Sequence, residues 1–219
     1  MSYEATRSRV ATYFDETATG RWARLTSDAP VSRIRETVRQ GRAEMQAVLL
    51  SHLPDDLHDA RVLDAGCGTG FLSAALAARG AEVVAVDISP QLIAIAEARC
   101  APEHAKRIRF VAGDMLEPVH GRFDYTLAMD SLIYYNSSDL RHVADVLLRQ
   151  SGRALLFTVA PKTPLLTAMF WVGKAFPRAD RSPRMVPQAP NRLARALGGR
   201  RLERVSRGFY ISEAIQVSA

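Results

Sequence analysis

The 219-residue sequence predicts an α/β fold, a doubly wound and mostly parallel sheet, on three observations. Between residues 60 and 160, short aliphatic runs alternate with segments of helical period, the βαβα rhythm of such sheets. The runs are apolar throughout rather than alternating, as strands covered on both faces are. The first run gives way to a helix through a turn rich in glycine, and open parallel sheets bind ligands at the carboxyl ends of such strands.

The elements follow in order. Ser2 to Asp15 predicts a first helix with Val10, Tyr13 and Phe14 near one face. Val31 to Leu53 predicts a second, from Val31, Ile34 and Val38, then Met45, Val48 and Leu49. Gly41 weakens it by about 1 kcal/mol relative to alanine. The turn Pro54-Asp55-Asp56 closes an N-terminal region, residues 1–59, ahead of a main domain at residues 60–219. In that domain Arg61 to Asp64, Glu82 to Asp87, Arg107 to Val111, Phe123 to Met129 and Arg153 to Val159 are expected as strands. Helices are expected at Thr69 to Arg79, closed by Gly80, from Pro90 to about Cys100, and at Asp139 to Gln150. Beyond Pro161 come an apolar helix near Leu165 to Phe176, a Pro/Arg-rich loop to Pro190 and a short helix near Arg192 to Leu197. Two strands follow, Leu202 to Ser206 and Phe209 to Val217, turning at Gly208.

A hydrophobic share of 47% and a charged share of 24% are those of an ordinary globular chain. No apolar run reaches the ~18 uncharged residues of a spanning helix. No basic-then-apolar leader opens the chain, so a cytoplasmic location is expected. Cys67 and Cys100 read as reduced thiols, and neither has a neighbour at metal-ligand spacing, so no metal is expected. His52, His58, His104, His120 and His142 lack such spacing too and read as surface residues. Charge is uneven: residues 151–219 carry 12 Lys+Arg against 3 Asp+Glu, giving that segment a net positive charge. A basic segment suits a peripheral membrane contact, an acidic partner or an anionic substrate. No aromatic-interleaved basic stripe accompanies it, and no nucleic-acid partner is expected.

The strongest signal is Val62-Leu63-Asp64-Ala65-Gly66-Cys67-Gly68-Thr69-Gly70, placed where a strand turns into a helix. Its glycines permit a tight turn and let a ligand approach bare backbone. A dinucleotide fingerprint needs a further Gly or Ala where this chain has Phe71, and a P-loop needs a Lys-Ser/Thr that is absent. Asp87, ending the second strand, reads either as a helix cap ahead of Ile88-Ser89-Pro90 or as the acid that, about 20 residues past a glycine loop, accepts ribose hydroxyls.

The sequence Asp64-x-Gly66-x-Gly68-x-Gly70 resembles the first motif of class I S-adenosylmethionine methyltransferases. The resemblance implies a Rossmann-like, seven-stranded sheet with an N-terminal helical lid. An acid ahead of the glycines suits a cofactor whose methionine end is an ammonium. It further implies Asp87 with Ile88 at the ribose, Asp114 at the adenine amino group, Met115 against the ring and Met129 at the methionine ammonium. Longer stretches resemble magnesium-protoporphyrin IX O-methyltransferases: Tyr13 to Ala18 with Arg21-Trp22, Val86 to Ile93, Ala128 to Tyr135, Phe157 to Thr163 and Arg204 to Ser212. Plant and cyanobacterial members carry His-Tyr where this chain has Tyr134-Tyr135. The implied reaction moves a methyl group to a propionate of Mg-protoporphyrin IX, an acceptor already ionised at neutral pH. The implied partner is the porphyrin-binding subunit of magnesium chelatase. An acceptor slot is expected from Trp22, Ile133, Phe170 and Trp171 with Met169, with Asp130 facing the cleft, Lys162 pairing a propionate, and Tyr13 and Tyr134 orienting the carboxylate or touching the metal side. Methylation of another small acid or a quinone, and a non-catalytic binding module, share the glycine motif. An amino-group methylase of nucleic acids is excluded by Met129-Asp130-Ser131-Leu132, which lacks the Asn/Asp-Pro-Pro-Tyr/Phe tetrad.

Overall fold

The computed structural model describes residues 3–15, 19–27, 30–162 and 183–219. Its strands are β1 (Arg61–Ala65), β2 (Glu82–Asp87), β3 (Ile108–Ala112), β4 (Phe123–Ala128), β5 (Ser151–Val159), β6 (Arg200–Arg207) and β7 (Tyr210–Ser218). They form a seven-stranded sheet in the order β3-β2-β1-β4-β5-β7-β6. The first five are parallel, and β7 inserts antiparallel between β5 and β6. Strand order reverses between β1 and β4, the switch point beyond which ligands bind in such sheets.

The helices are α1 (Tyr3–Tyr13), α2 (Thr19–Leu25), α3 (Arg33–Ser51), α4 (Phe71–Ala78), α5 (Pro90–Arg99), α6 (Pro102–Ala105), α7 (Ser137–Gln150) and α8 (Pro190–Ala196). Local chemistry sets several starts. The Ser89 hydroxyl accepts from the Leu92 amide with Pro90 at the first helical position, and Asn136 accepts from Ser138 and Asp139. Successive strand residues point to opposite faces, so the sheet has a core on each side. Val62, Ala85 and Leu127 pack with Met45, Leu49 and Leu76 of α3 and α4. Leu63, Val86 and Phe157 pack with Leu140, Val143 and Leu147 of α7.

Neither α2 nor α6 was expected; α6, at four residues, is too short to show a period. The helix expected near Leu165 to Phe176, with Met169, Phe170 and Trp171, lies outside the described residues. Among the described residues, no helix is long and apolar enough to cross a membrane. Residues 1–59 do not act alike: α3 packs on β6 and β7 within the main core, whereas α1 and α2 lie over the carboxyl edge of the sheet.

Two expectations need correction. Gly41 is not a weak point, because α3 runs through it unbroken and the glycine is buried against β7. A Cβ there would sit 2.5 Å from Tyr210 Cδ1 and 2.9 Å from its Cβ. Gly41→Ala should therefore destabilise the fold by about 1–3 kcal/mol through overpacking, outweighing the roughly 1 kcal/mol of added helix propensity. Denaturant melts of the two proteins read the sign. His120 is not a surface residue. It is 1% exposed, in a 3-10 turn folded under the β3–β4 connection, with Nε2 2.9 Å from the Asp114 carbonyl.

Candidate active site

The glycine turn after β1 is shaped by its backbone. Gly66, Gly68 and Gly70 all have positive φ, 85°, 56° and 79°. The Gly66 and Cys67 amides donate to the Val86 carbonyl at 2.8 and 3.0 Å, which seats the turn on β2. Gly70 lines neither cavity described below. A Cβ there would lie 3.1 Å from that of Ala96, so this glycine serves packing against α5.

Asp87 is the fixed acid beside that turn. It is 9% exposed, and its carboxylate accepts from the Gly68 amide at 2.9 Å and the Ser89 amide at 3.0 Å. A carboxylate offers about four acceptor sites, so sites remain for a ligand. Burial, with Asp15 nearby, pushes its pKa upward, and the Ser89, Gly68 and Ile88 amides pull it back. Asp114, after β3, accepts from Tyr3 Oη and Arg7 Nη1 of α1, each at 2.6 Å, and from the Leu116 amide at 3.0 Å. Tyr3 also stacks on Tyr135, with ring centroids 5.3 Å apart. These residues, with Ile88, Met115, Met129, Asp130, Phe14 and Tyr134, line a cleft of about 720 Å³ at the switch point.

A second cavity of about 750 Å³ lies on the other side of Trp22 and Arg42, which line both. Asp64, Thr69, Gln46 and Phe71 line its wall. Asp64 is 1% exposed and accepts from Ser73 Oγ at 2.6 Å, tying β1 to α4. Burial raises its pKa to about 7, against the pull of the Ser73 hydroxyl. The folded state therefore holds a proton on Asp64 that the unfolded chain has shed. The contribution of this group to stability should fall as pH rises from about 4 to about 7, where the native state binds the extra proton. Asp64→Asn should flatten that slope in urea melts taken across the range, and an unchanged slope would refute the assignment.

Most residues singled out from the sequence converge here, and some do not. Tyr134 lines the first cavity, and burial, with Asp130 nearby, holds its phenol above the usual value, so it stays protonated. Tyr13 lines neither cavity. Its neighbour Phe14 does, edge-on to Tyr134 with centroids 6.2 Å apart, while the Tyr13 phenol is close enough to raise Tyr134 further. Ile133 lines neither cavity; its carbonyl accepts from the Val186 amide at 2.8 Å. Lys162 is exposed and lines neither, its amide bonding to the Gln188 carbonyl. Asp130 lines the first cavity, but its carboxylate is already engaged by Arg42, Thr158, Tyr210 and Ser212. Phe170 and Trp171 lie outside the described residues.

Sequence reasoning missed Tyr3, Arg7, Arg42 and Tyr210. The first two did carry a signal: at i and i+4 of a helix they share a face.

A parallel sheet ending in an antiparallel hairpin, with an acid-flanked glycine turn at its switch point, defines a class I methyltransferase. The family model described as "Methyltransferase domain" matches residues 62–151, and that described as "Magnesium-protoporphyrin IX methyltransferase C-terminus" matches residues 128–219. The magnesium-protoporphyrin O-methyltransferase of Rhodobacter capsulatus is 54% identical over 98% of this chain and 97% of its own. The chloroplastic magnesium protoporphyrin IX methyltransferase of Arabidopsis thaliana is 31% identical over 94% of this chain and 69% of its own. A crystal structure of the Synechocystis magnesium protoporphyrin IX methyltransferase with bound SAH superposes with a TM-score of 0.84 at 27% identity, covering 97% of this chain and 99% of that one. The chain belongs to the magnesium-protoporphyrin O-methyltransferase family.

Proposed function

We propose that this chain transfers a methyl group from S-adenosylmethionine to a propionate carboxylate of Mg-protoporphyrin IX, giving the monomethyl ester in bacteriochlorophyll synthesis. The observation that carries the reading is its 54% identity, over nearly the full length of both chains, to the Rhodobacter capsulatus enzyme of that name.

The first cavity fits the cofactor. It lies at the carboxyl edge of the switch point, where sheets of this kind bind their ligands. Gly66 and Gly68 of the loop bring bare backbone to it, and Asp87 keeps acceptor sites toward it. Asp87 would hold the ribose, Ile88 and Met115 the faces of the base, Asp114 its amino group, and Gly66, Gly68 and Met129 the methionine end, with Asp64 behind the loop. The bound cofactor supplies an electrophilic methyl group on a sulfonium. The chain's own work is to orient the acceptor and exclude water, because an ionised propionate needs no general base. Tyr134, kept protonated, donates a hydrogen bond that orients the carboxylate; Tyr13 flanks it, and Phe14 and Trp22 wall an apolar space for a flat ring. Helices α1 and α2 act as the lid. The basic segment 151–219 supports docking on an acidic partner, for which we propose the porphyrin-binding subunit of magnesium chelatase, or on a membrane surface from the cytoplasmic side.

Purified protein given S-adenosylmethionine and Mg-protoporphyrin IX should form a less polar ester, resolved by chromatography. Saturable porphyrin binding with no ester would refute the assignment. Tyr134→Phe should lower kcat about tenfold, the worth of one hydrogen bond to a charged group, with S-adenosylhomocysteine affinity unchanged.

A further inference from the structure

The Asp130 carboxylate has no room for a ligand. Its Oδ2 accepts from Arg42 Nη1 at 2.5 Å and Tyr210 Oη at 3.2 Å. Its Oδ1 accepts from Tyr210 Oη and Thr158 Oγ1, both at 3.1 Å, and from Ser212 Oγ at 3.4 Å. These partners come from α3, β5 and β7, and they fill the roughly four acceptor sites of a carboxylate. The backbone of Asp130 is also held in the left-handed region, φ 56°, with its amide donating to Thr158 Oγ1 at 2.8 Å. Such backbone strain persists where surrounding groups over-determine it, commonly at functional sites.

What Asp130 holds is Arg42, and what Arg42 holds is Trp22. The Arg42 side chain is 20% exposed, and its guanidinium carbon lies 4.6 Å from the centre of the indole ring. The indole in turn crosses the glycine loop, with Nε1 3.1 Å from where a Cβ of Gly68 would stand. The stacked pair Trp22–Arg42 is thus the partition between the two cavities. Gly41, one residue before Arg42, lets α3 approach the Tyr210 ring, so adjacent helix positions meet Tyr210 and Asp130.

We propose that Asp130 is a positioning residue that acts through Arg42: the chain Tyr210–Asp130–Arg42–Trp22 fixes the indole over the glycine loop and so sets the cofactor's grip. The inference rests on the functional reading above. It replaces the expected contact of Asp130 with the acceptor by a role in orienting a lid aromatic.

The test uses a Trp171→Phe background, in which Trp22 is the sole indole. Arg42→Met and Asp130→Asn, the latter keeping a residue type that tolerates positive φ, should each shift Trp22 emission to the red. Each should weaken S-adenosylhomocysteine binding about fivefold by calorimetry, and the double variant should be no weaker than Arg42→Met alone. Arg42→Lys keeps the charge but not the flat stack, and should match Arg42→Met. Tyr210→Phe, which keeps the ring against Gly41, should give a smaller shift in the same direction and serves if Asp130→Asn does not fold. Multiplying losses in the double variant, wild-type emission in the folded Asp130 or Tyr210 variant, or wild-type behaviour of Arg42→Lys would overturn the proposal. Failure of the unsubstituted protein to bind S-adenosylhomocysteine would instead overturn the functional reading.

Discussion

Asp87→Ala is expected to weaken S-adenosylhomocysteine binding by a factor of 100 or more. Two hydrogen bonds from a ribose diol to a buried carboxylate are worth about 1.5–3 kcal/mol each, and every 1.4 kcal/mol is tenfold. The side chain does a second job, since it accepts from the Gly68 amide and so holds the loop that the ligand must approach. Asp87→Asn, which keeps one acceptor oxygen, should lose less than the alanine variant. Titration calorimetry on both variants measures the difference. An affinity within twofold of the wild type would remove Asp87 from the site and with it the placement of the nucleoside in the first cavity.

Gly66→Ala should cost the fold a large share of its stability. Its φ of 85° is unfavourable for an L-residue by about 1–2 kcal/mol. The new Cβ would also stand 2.3 Å from the Ser131 Cβ, inside contact distance of a group that cannot retreat. Ser131 is fixed because its hydroxyl donates to the Ala65 carbonyl at 2.7 Å. A total loss of about 3 kcal/mol or more is expected in denaturant melts, together with loss of cofactor binding. Adding Ser131→Gly should restore part of the stability by removing the overlap, while the φ penalty stays. A Gly66→Ala protein as stable as the wild type would refute this account of the turn.

The parallel half of the sheet was legible because its strands are buried on both faces and read as uninterrupted aliphatic runs, as in Val83-Val84-Ala85-Val86. The glycine turn was legible because positive φ leaves few alternatives to glycine. Gly41 was misread, since helix propensity is a local quantity and the reason for this glycine is a ring on β7, far along the chain. His120 was misread for a related reason: spacing excluded a metal role but said nothing of burial. Side-chain roles at the site were the least legible. Asp130 stands at the end of β4 as expected, yet it turns its charge toward three protein elements whose meeting no local pattern encodes. Ile133 and Lys162 stand beside the cleft in sequence but outside it in space, because Ile133 and residues 160–162 pair through their own backbone with residues 186–188.

Strand β6 is an outer edge of the sheet, with one row of backbone groups left for another chain to join. It carries Arg200, Arg201, Arg204 and Arg207, and their partners Gln216, Glu213 and Glu44 hold those guanidinium groups alongside it. Glu213 is wholly buried, so two of the four are anchored rather than swinging free. A second copy laid along β6 would bring these arginines close to its own, and charge on an edge strand is one of the means by which sheets are kept from joining another chain.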